Sequence, residues 1–356
     1  MNNLIQTPEI LPVPEEKGAG SLPAAPREWF KFYTPSECRA YQPPLGHVLV
    51  GDCHLVRGGC TLIAGAPGTG KSRVVTALAI AGAKGCDWFG LPVHTQFKTA
   101  ILQAENGRYR LKNELSELTD PALDDFIRVS EPPAFGMAFK SVEFQQALAA
   151  WVEDFKPDVL VLDPWNAIAH DDGQRDYREA FDNIRAILPK GDKAPSIVIV
   201  AHTRKPKGDF RPTGRSLLNE VAGSHVLGSV ARCVFALQPA SEEETDDRIV
   251  WSCAKNNDGA LTPRTAWHRR NGLFAPCPDF DWEGFDKPRG EECAGITEAH
   301  MEQLFAKGRR MARKHACEEL MELTRLGQSS CYNALSPSGR FKDHLREEER
   351  LLFWVG

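Results

Sequence analysis

The chain has 356 residues, of which 42% are apolar and 26% charged, and its formal net charge at pH 7 is −5. This is ordinary for a globular protein and suits one large α/β domain with a small appendage. The net charge excludes attraction to nucleic acid by the whole surface, so any such partner needs a local basic patch. No apolar run approaches the roughly 20 residues of a spanning helix, and no signal sequence is apparent, so we expect a cytoplasmic protein.

Two further features concern the whole chain. The ten cysteines are scattered without a Cys-x-x-Cys pair, which suits neither a zinc module nor a disulfide framework. We expect reduced and mostly buried thiols. Residues 1–28 carry five prolines and few large apolar residues, so they bury too little surface to offset the entropy of ordering. They are predicted to form a disordered tail.

An apolar strand over residues 60–64 leads into a glycine-rich loop, and a helix with apolar periodicity follows from residue 73. The loop reads Gly65-Ala66-Pro67-Gly68-Thr69-Gly70-Lys71-Ser72, which matches the phosphate-binding pattern G-x-x-x-x-G-K-[ST]. Its glycines let backbone N–H groups close around phosphates at a helix N-terminus. We expect Lys71 to reach the β and γ phosphates of ATP and Ser72 to hold Mg²⁺. Residues 29–59 either cover the nucleotide base or contact a neighbouring subunit.

Three later apolar strands each end in a polar residue. The strand at 97–104 ends at Glu105, the strand at 159–162 at Asp163 and the strand at 196–201 at His202. Open α/β sheets place their chemistry at strand carboxyl ends. Asp163 fits a Walker B ligand of Mg²⁺. Glu105 either activates the attacking water or only favours the next helix start, and His202 either contacts the γ-phosphate or is a satisfied histidine at a strand end.

The segment after His202 is basic. Residues 203–215 contain five basic residues against Asp209, a local charge of +4 in a Gly/Pro-rich loop; the basic residues are Arg204, Lys205, Lys207, Arg211 and Arg215. Such a loop either tracks a nucleic-acid backbone or is a solvated surface loop.

Two more strands are predicted after the basic loop, at 230–237 and 248–254. Residues 275–296 have the Pro/Gly content of a linker and separate an ATPase domain at 29–274 from a small domain at 297–356. In that domain we predict a long helix to about residue 315, helices at 317–324 and 329–335, and wing strands at 340–342 and 351–355. The helix spacing is that of a helix-turn-helix. Because its charge is nearly balanced, the domain either binds DNA or is a packing or partner-docking module.

The loop 65–72, Gln103-Ala104-Glu105-Asn106, the segment 159–164 and Val200-Ala201-His202-Thr203 together resemble the RecA-like ATPases near RepA-type hexameric replicative helicases, AAA-family ATPases of plasmids and mobile elements. The similarity covers about residues 40–270. It implies a RecA-like P-loop α/β core with a mainly parallel sheet flanked by helices. It also implies Lys71 on phosphate, Glu105 as catalytic base, Asp163 and Ser72 on Mg²⁺, and His202 as γ-phosphate sensor.

The resemblance further implies a ring in which a neighbour supplies an arginine finger. Here the sequence departs from the family. Ala222-Gly223-Ser224-His225 stands where RepA-like sequences carry Arg-Gly-Ser-Ser, and residues 255–257 keep only the lysine of the Lys-x-Arg pair of DnaB-like helicases. The candidate fingers in trans are Arg215, Arg232 and Lys255; otherwise ring-dependent hydrolysis is weak.

The expected function is therefore a Mg²⁺-dependent ATPase in a homo-oligomer, with a hexameric ring implied by the resemblance. It would act as a DNA helicase or translocase on single-stranded DNA in plasmid or mobile-element replication, with contacts from Arg204, Lys205, Lys207 and Arg211. The alternative is a nucleotide-switched replication initiator or regulator in which residues 316–340 bind duplex DNA without unwinding it. A small-molecule kinase explains Glu105 and His202 less well than a hydrolase does.

Overall fold

The structure is a computed structural model that describes residues 31–116, 118–168, 174–204, 211–222, 225–241, 243, 245–270, 273–286, 296–324, 328–337 and 341–355. The chain divides into two compact units, residues 1–44 and 45–356. The predicted tail at 1–28 lies outside the described residues. In the first unit, helix α1 (Pro35–Ala40) begins with a capping box, in which Thr34 accepts from the Glu37 N–H and the Glu37 carboxylate accepts from the Thr34 N–H.

The second unit contains the remaining elements. Its strands before residue 280 are β1 (Val48–Val50), β2 (Leu55–Val56), β3 (Cys60–Gly65), β4 (Thr99–Gln103), β5 (Ile127–Val129), β6 (Val159–Asp163), β7 (Ser196–His202), β8 (Cys233–Pro239), β9 (Arg248–Asn256), β10 (Thr265–Arg270) and β11 (Leu273–Pro276). Its helices in this range are α2 (Lys71–Lys84), α3 (Arg108–Leu115), α4 (Val142–Phe155), α5 (Gln174–Ile187), α6 (His225–Val230) and α7 (Trp282–Asp286).

In the described part of the chain, β3 to β11 form one nine-stranded sheet in the order β11-β10-β9-β8-β3-β7-β6-β4-β5. The six strands from β8 to β5 run parallel, and β9, β10 and β11 add an antiparallel edge. One strand, β7, separates the glycine-rich-loop strand β3 from β6, which ends in Asp163. This mainly parallel sheet with flanking helices is the RecA-like core that the sequence predicted.

The central strands are apolar throughout because both faces of the sheet are covered. In β6, Leu160 and Leu162 pack into the core formed with α5, whereas Val159 and Val161 pack into the core under α2. All four side chains are fully buried. The sheet therefore holds the carboxyl ends of its strands in a fixed row.

Residues 273–286 correct the predicted linker at 275–296. They form β11, which pairs with β10, and α7, whose Phe285 is buried with Phe280 against Val250 of the sheet. The prolines and glycines suggested a linker, but the aromatic residues between them bury enough surface to fold. Residues 287–295 of that linker lie outside the described part.

The C-terminal residues contain α8 (Glu298–Leu304), β12 (Met311–Ala312), α9 (Arg313–Thr324), α10 (Gln328–Ala334), β13 (Leu345–Glu348) and β14 (Leu351–Trp354). The three strands form a separate antiparallel sheet in the order β12-β14-β13. Met301, Leu320 and Leu352 are among the buried residues of this separate core. The order of helix, strand, two helices and hairpin is that of a winged helix.

Three predictions for this region were wrong in detail. The long helix to about residue 315 ends instead at Leu304, where Phe305 leaves the helical conformation and a 3₁₀ segment, Ala306–Gly308, follows. The next helix begins at Arg313 rather than at residue 317. The first wing strand is Leu345–Glu348 rather than 340–342.

Two whole-chain expectations can be compared with the structure. The nine cysteines in the described residues are all free thiols, and five of them are buried: Cys60, Cys233, Cys253, Cys317 and Cys331. Over the same residues, no helix combines the length and the apolar character needed to cross a membrane.

Candidate active site

The phosphate-binding loop connects the end of β3 to the start of α2, as its motif requires. Gly68 and Gly70 have φ of +77° and +94°, a left-handed backbone that favours glycine. Gly65 is needed for a different reason: a Cβ there would lie 2.9 Å from the Thr69 hydroxyl and 3.0 Å from the Leu237 carbonyl oxygen. Gly68 and Gly70 are thus required by the backbone conformation, and Gly65 is required because a Cβ would have no space.

Inside the loop, the Ala66 carbonyl oxygen accepts three hydrogen bonds. They come from the Thr69 N–H at 3.3 Å, the Thr69 hydroxyl at 2.8 Å and the Lys71 Nζ at 2.8 Å. Burial lowers the pKa of Lys71 from 10.5 to about 8, against the opposing effect of the Asp163 and Glu105 carboxylates. The lysine is therefore a partly desolvated cation that an anionic phosphate would stabilise.

The predicted strand-end residues lie along one edge of the sheet. Gly65 pairs with His202 across β3 and β7, and Gln103 pairs with Asp163 across β4 and β6. Neighbouring strands are roughly 4.8 Å apart. The structure thus brings the loop, His202, Asp163 and the segment that carries Glu105 to the same edge.

Asp163 and Glu105 differ in exposure. Asp163 is 5% exposed and its backbone carbonyl accepts from the Ala104 N–H at 3.0 Å, which ties the two strand ends together. Glu105 lies two residues beyond β4 and is exposed. A buried carboxylate suits a metal ligand, and an accessible one suits a base that must meet water.

A residue that the motifs did not identify as functional holds Glu105 in place. The Gln103 side chain is 1% exposed. Its Oε1 accepts from the N–H groups of Glu105 at 3.2 Å and Asn106 at 2.6 Å. Its Nε2 donates to the carbonyl oxygens of Asn106 at 2.6 Å and Ser130 at 2.7 Å. This four-bond arrangement, which we call the Gln103 clamp, fixes the backbone on which Glu105 is carried.

His202 lies at the end of β7, beside the start of the phosphate loop. Burial and then the Lys71 ammonium lower the pKa of His202 from its ordinary value, against the opposing effect of the Glu105 carboxylate, and so favour the neutral ring. Its Nδ1 is buried and has no hydrogen-bond partner among the described residues. The next residue, Thr203, donates its N–H to the Gly65 carbonyl at 3.1 Å.

The basic loop is closed at its base by three backbone contacts. Ala222 donates to His202 at 2.8 Å, Arg204 donates to Glu220 at 2.6 Å, and Thr203 bridges Val221. Lys205 and Lys207 lie outside the described residues.

One expected DNA contact has an internal role. Arg211 donates through Nη1 to the Ala240 carbonyl at 2.8 Å and lies 4.3 Å over the Phe285 ring. Its side chain is half-buried in these contacts. Arg211 therefore anchors the end of the basic loop on the sheet domain.

The three candidate fingers have different surroundings. Arg215 is exposed in a 3₁₀ segment, Gly214–Glu220. Arg232 forms a two-point ion pair with Asp258. Lys255 donates Nζ to the carbonyls of Gly228 at 2.8 Å and Ala231 at 2.7 Å, and burial and then Arg232 lower the pKa of Lys255.

Two of these candidates lie far from their own phosphate loop. The Arg232 N–H donates to the carbonyl of Cys60, the first residue of β3, while the loop begins at Gly65, five residues and roughly 16 Å along the strand. Lys255 pairs with Val234 near the same end. Either one could act only on the site of another subunit.

A second residue missed from the sequence is Arg269 on β10. Its Nη1 donates to the Gly68 carbonyl at 2.7 Å, although the two residues are 201 positions apart. No local pattern distinguishes it from its neighbour Arg270.

ATP and Mg²⁺ fit the residues present. A Cβ built on Gly68 meets no atom within 4 Å, so that side of the loop is open. The Ser72 hydroxyl and the Asp163 carboxylate supply the oxygen ligands that Mg²⁺ prefers. Among the described residues, no group of three or more His, Cys, Asp or Glu side chains could hold a metal ion. The nucleotide phosphates and water would therefore complete the Mg²⁺ coordination.

The fold and the loop define the class of this protein, which is a P-loop ATPase with a RecA-like core. A family profile described as an AAA domain matches residues 27–208, more than half of the chain, and the chain belongs to this family. No curated protein matches the sequence. Among solved structures, a KaiC-like protein from the hyperthermophilic archaeon Pyrococcus horikoshii is similar, with 14% identity, a TM-score of 0.46, and coverage of 66% of this chain and 96% of that chain.

Proposed function

We propose that the protein is a Mg²⁺-dependent ATPase that acts as an oligomer on single-stranded DNA, as a helicase or translocase in the replication of a plasmid or mobile element. The observation that carries this proposal is the hydrogen bond from Thr203, at the base of the basic loop, to Gly65 in the phosphate loop. A change at the phosphates would be transmitted directly to a segment with a charge of +4. We retain residues 29–274 as the ATPase domain and 297–356 as a separate domain within this proposal.

The proposed chemistry assigns one task to each side chain. Lys71 would exchange its hydrogen bond to the Ala66 carbonyl for contacts with the β and γ phosphates, and Ser72 and Asp163 would hold Mg²⁺, which would neutralise phosphate charge. Glu105 orients and deprotonates the attacking water. His202 would donate to the γ-phosphate and would lose that contact when the phosphate leaves.

Two substitutions test the ATPase assignment. Lys71→Ala should weaken nucleotide binding and lower kcat by at least about 100-fold, because a charge-stabilising group is lost. Glu105→Gln should still bind ATP but lower kcat by roughly 10²- to 10⁴-fold. Lys84→Ala at the exposed end of α2 and Glu131→Gln after β5 are the matched controls. Normal hydrolysis by Glu105→Gln would leave Glu105 as a helix-start acid and place the base elsewhere.

Action in trans is tested by mixing inactive protomers. Lys71→Ala protomers combined with Arg215→Ala or Arg232→Ala protomers should recover activity if that arginine serves the neighbouring site. The third variant is Lys255→Ala. Because the Lys255 ammonium donates to two carbonyls of its own chain, we expect this variant to lose stability rather than to restore activity. Full activity of a strictly monomeric protein at high dilution would contradict the oligomeric proposal.

The DNA partner is tested by stimulation of the ATPase. Single-stranded DNA should raise the rate at low salt, where phosphate contacts are strongest, and the paired substitution Lys205→Glu, Lys207→Glu should remove that increase. Lys190→Glu, Lys193→Glu makes the same change of charge on another surface. If no nucleic acid binds or changes the rate, a protein-remodelling ATPase becomes the better explanation.

A second candidate is a nucleotide-switched initiator or regulator that binds duplex DNA without unwinding it. The observation in its favour is the winged-helix order of α8 to β14, in which α9 and α10 are only three residues apart in sequence. Deleting residues 297–356 should then abolish duplex binding while strand-displacement assays show no unwinding by the full chain. Unwinding by the full chain would favour the helicase instead.

A further inference from the structure

Arg269 and Phe274 bring the β10–β11 hairpin against the phosphate loop at two points. These two residues pair across the hairpin. Besides the 2.7 Å bond from Arg269 to the Gly68 carbonyl, a Cβ built on Gly70 would lie 3.3 Å from the Arg269 Cδ and 3.8 Å from the Phe274 ring. The hairpin is therefore hydrogen-bonded to Gly68 and leaves little space beside Gly70, the two left-handed glycines whose conformation shapes the phosphate loop.

The rest of the Arg269 guanidinium is held by the turn before β9. Its Nε donates to the Asp247 carbonyl at 3.2 Å and its Nη2 to the Asp246 carbonyl at 3.1 Å. The two carboxylates of that turn bind other groups: Asp246 pairs with Arg248 at 2.9 Å, and Asp247 contacts His268 Nδ1 at 3.0 Å. Within the described part of the chain, the guanidinium thus donates to three backbone carbonyls, one of which belongs to the phosphate loop.

We propose that Arg269 is a positioning residue of the nucleotide site in the same chain, distinct from any finger supplied in trans. Its fixed fork ties Gly68 to the turn at 246–247 and holds the loop in its phosphate-binding shape before nucleotide arrives. The guanidinium also places a cationic group beside the loop, which favours an anion there. The inference rests on the proposed nucleotide site, but not on hydrolysis or on DNA.

The experiment measures equilibrium binding of a fluorescent ADP to the full-length protein, with thermal unfolding and kcat at saturating ATP measured in parallel. Arg269→Met keeps the aliphatic stem and removes the fork, so the Kd for ADP should rise about 5- to 30-fold, while kcat changes less than about threefold. Arg270→Met, with the same change of size and charge on the adjacent exposed residue, should bind ADP like the wild type.

Arg269→Lys keeps the charge on a single ammonium, which cannot donate to three carbonyls in the geometry of the fork. It should also bind ADP more weakly than the wild type, and it is the decisive variant if Arg269→Met does not fold. Wild-type affinity in a folded Arg269→Lys or Arg269→Met protein overturns the proposal, and so does equal weakening by Arg270→Met. If an Arg269 variant binds ADP more weakly but the wild-type protein hydrolyses no ATP, the positioning role of Arg269 is supported and the proposed function is refuted.

Discussion

The Gln103 clamp gives the most direct test of how this site is built. Gln103→Leu keeps the size of a buried side chain but removes all four hydrogen bonds, which leaves the N–H groups of Glu105 and Asn106 without their acceptor. At about 0.5–1.5 kcal/mol for each bond, the sum is roughly 2–6 kcal/mol. Because Glu105 is exposed and water can replace part of this loss, we expect the lower part of that range, about 2–3 kcal/mol.

The same substitution should reduce catalysis by more than stability alone explains. Glu105 would remain present but lose its fixed backbone, and a misplacement of about 1 Å can cost roughly 100-fold in rate. We therefore expect kcat to fall about 10- to 100-fold under conditions where the variant is fully folded, with a smaller change in nucleotide affinity. The assays are steady-state ATP hydrolysis and denaturant unfolding of the same preparations.

A matched control separates positioning from general damage. Gln145 on α4 donates its side-chain amide to the Phe139 carbonyl at 2.7 Å, a single hydrogen bond that does not involve the Glu105 segment. Gln145→Leu should lower stability by about 1 kcal/mol and leave kcat unchanged. A folded Gln103→Leu protein with the kcat of the wild type would refute the claim that the Gln103 clamp positions Glu105.

Two other predictions follow from burial and packing. Because the free site holds Lys71 with a pKa of about 8 and phosphate favours the ammonium, nucleotide binding should take up a proton above pH 8. Affinity should be flat below that pH and fall by up to about tenfold per unit above it, as calorimetry in buffers of different ionisation enthalpy would detect; constant affinity to pH 9.5 would contradict this. Gly82→Ala places a Cβ 2.1 Å from the Phe97 ring, so overpacking of about 1–3 kcal/mol should exceed the helix gain of about 1 kcal/mol. The control is Gly228→Ala on α6, where a Cβ has open space. This variant should not lower the stability of the protein in the same unfolding assay.

The parts of the site that could be predicted are those specified by short stretches of sequence. The phosphate loop needs eight consecutive residues, and β6 needs an apolar run that ends in an acid. The bounds of helix α4 are likewise set by single residues, since Ser141 caps its start and Lys156 takes a left-handed conformation at its end. In each case the local pattern and the tertiary fold favour the same structure.

The parts that could not be predicted depend on contacts between distant residues. Arg269 donates to the Gly68 carbonyl although the two residues are 201 positions apart, and the sequence around Arg269 contains no motif that identifies it. Gln103 appeared only within a motif resemblance, since the hydrogen bonds of a buried amide cannot be read from residue type. The composition of 275–286 misled for the same reason: its aromatic residues fold only because the antiparallel edge of the sheet offers a surface to cover.

The contacts of the phosphate loop also indicate which end of it responds to nucleotide. A ligand shifts structure only through groups that it contacts differently in the two states. Lys71 gives one of three hydrogen bonds to Ala66 in the free loop, and phosphate binding would withdraw it. Arg269 meanwhile fixes Gly68 to a turn that contains no phosphate ligand. The change of structure on nucleotide binding is therefore expected in the first two residues of the loop, Gly65 and Ala66. Gly65 is also the residue whose carbonyl accepts the Thr203 N–H at the base of the basic loop.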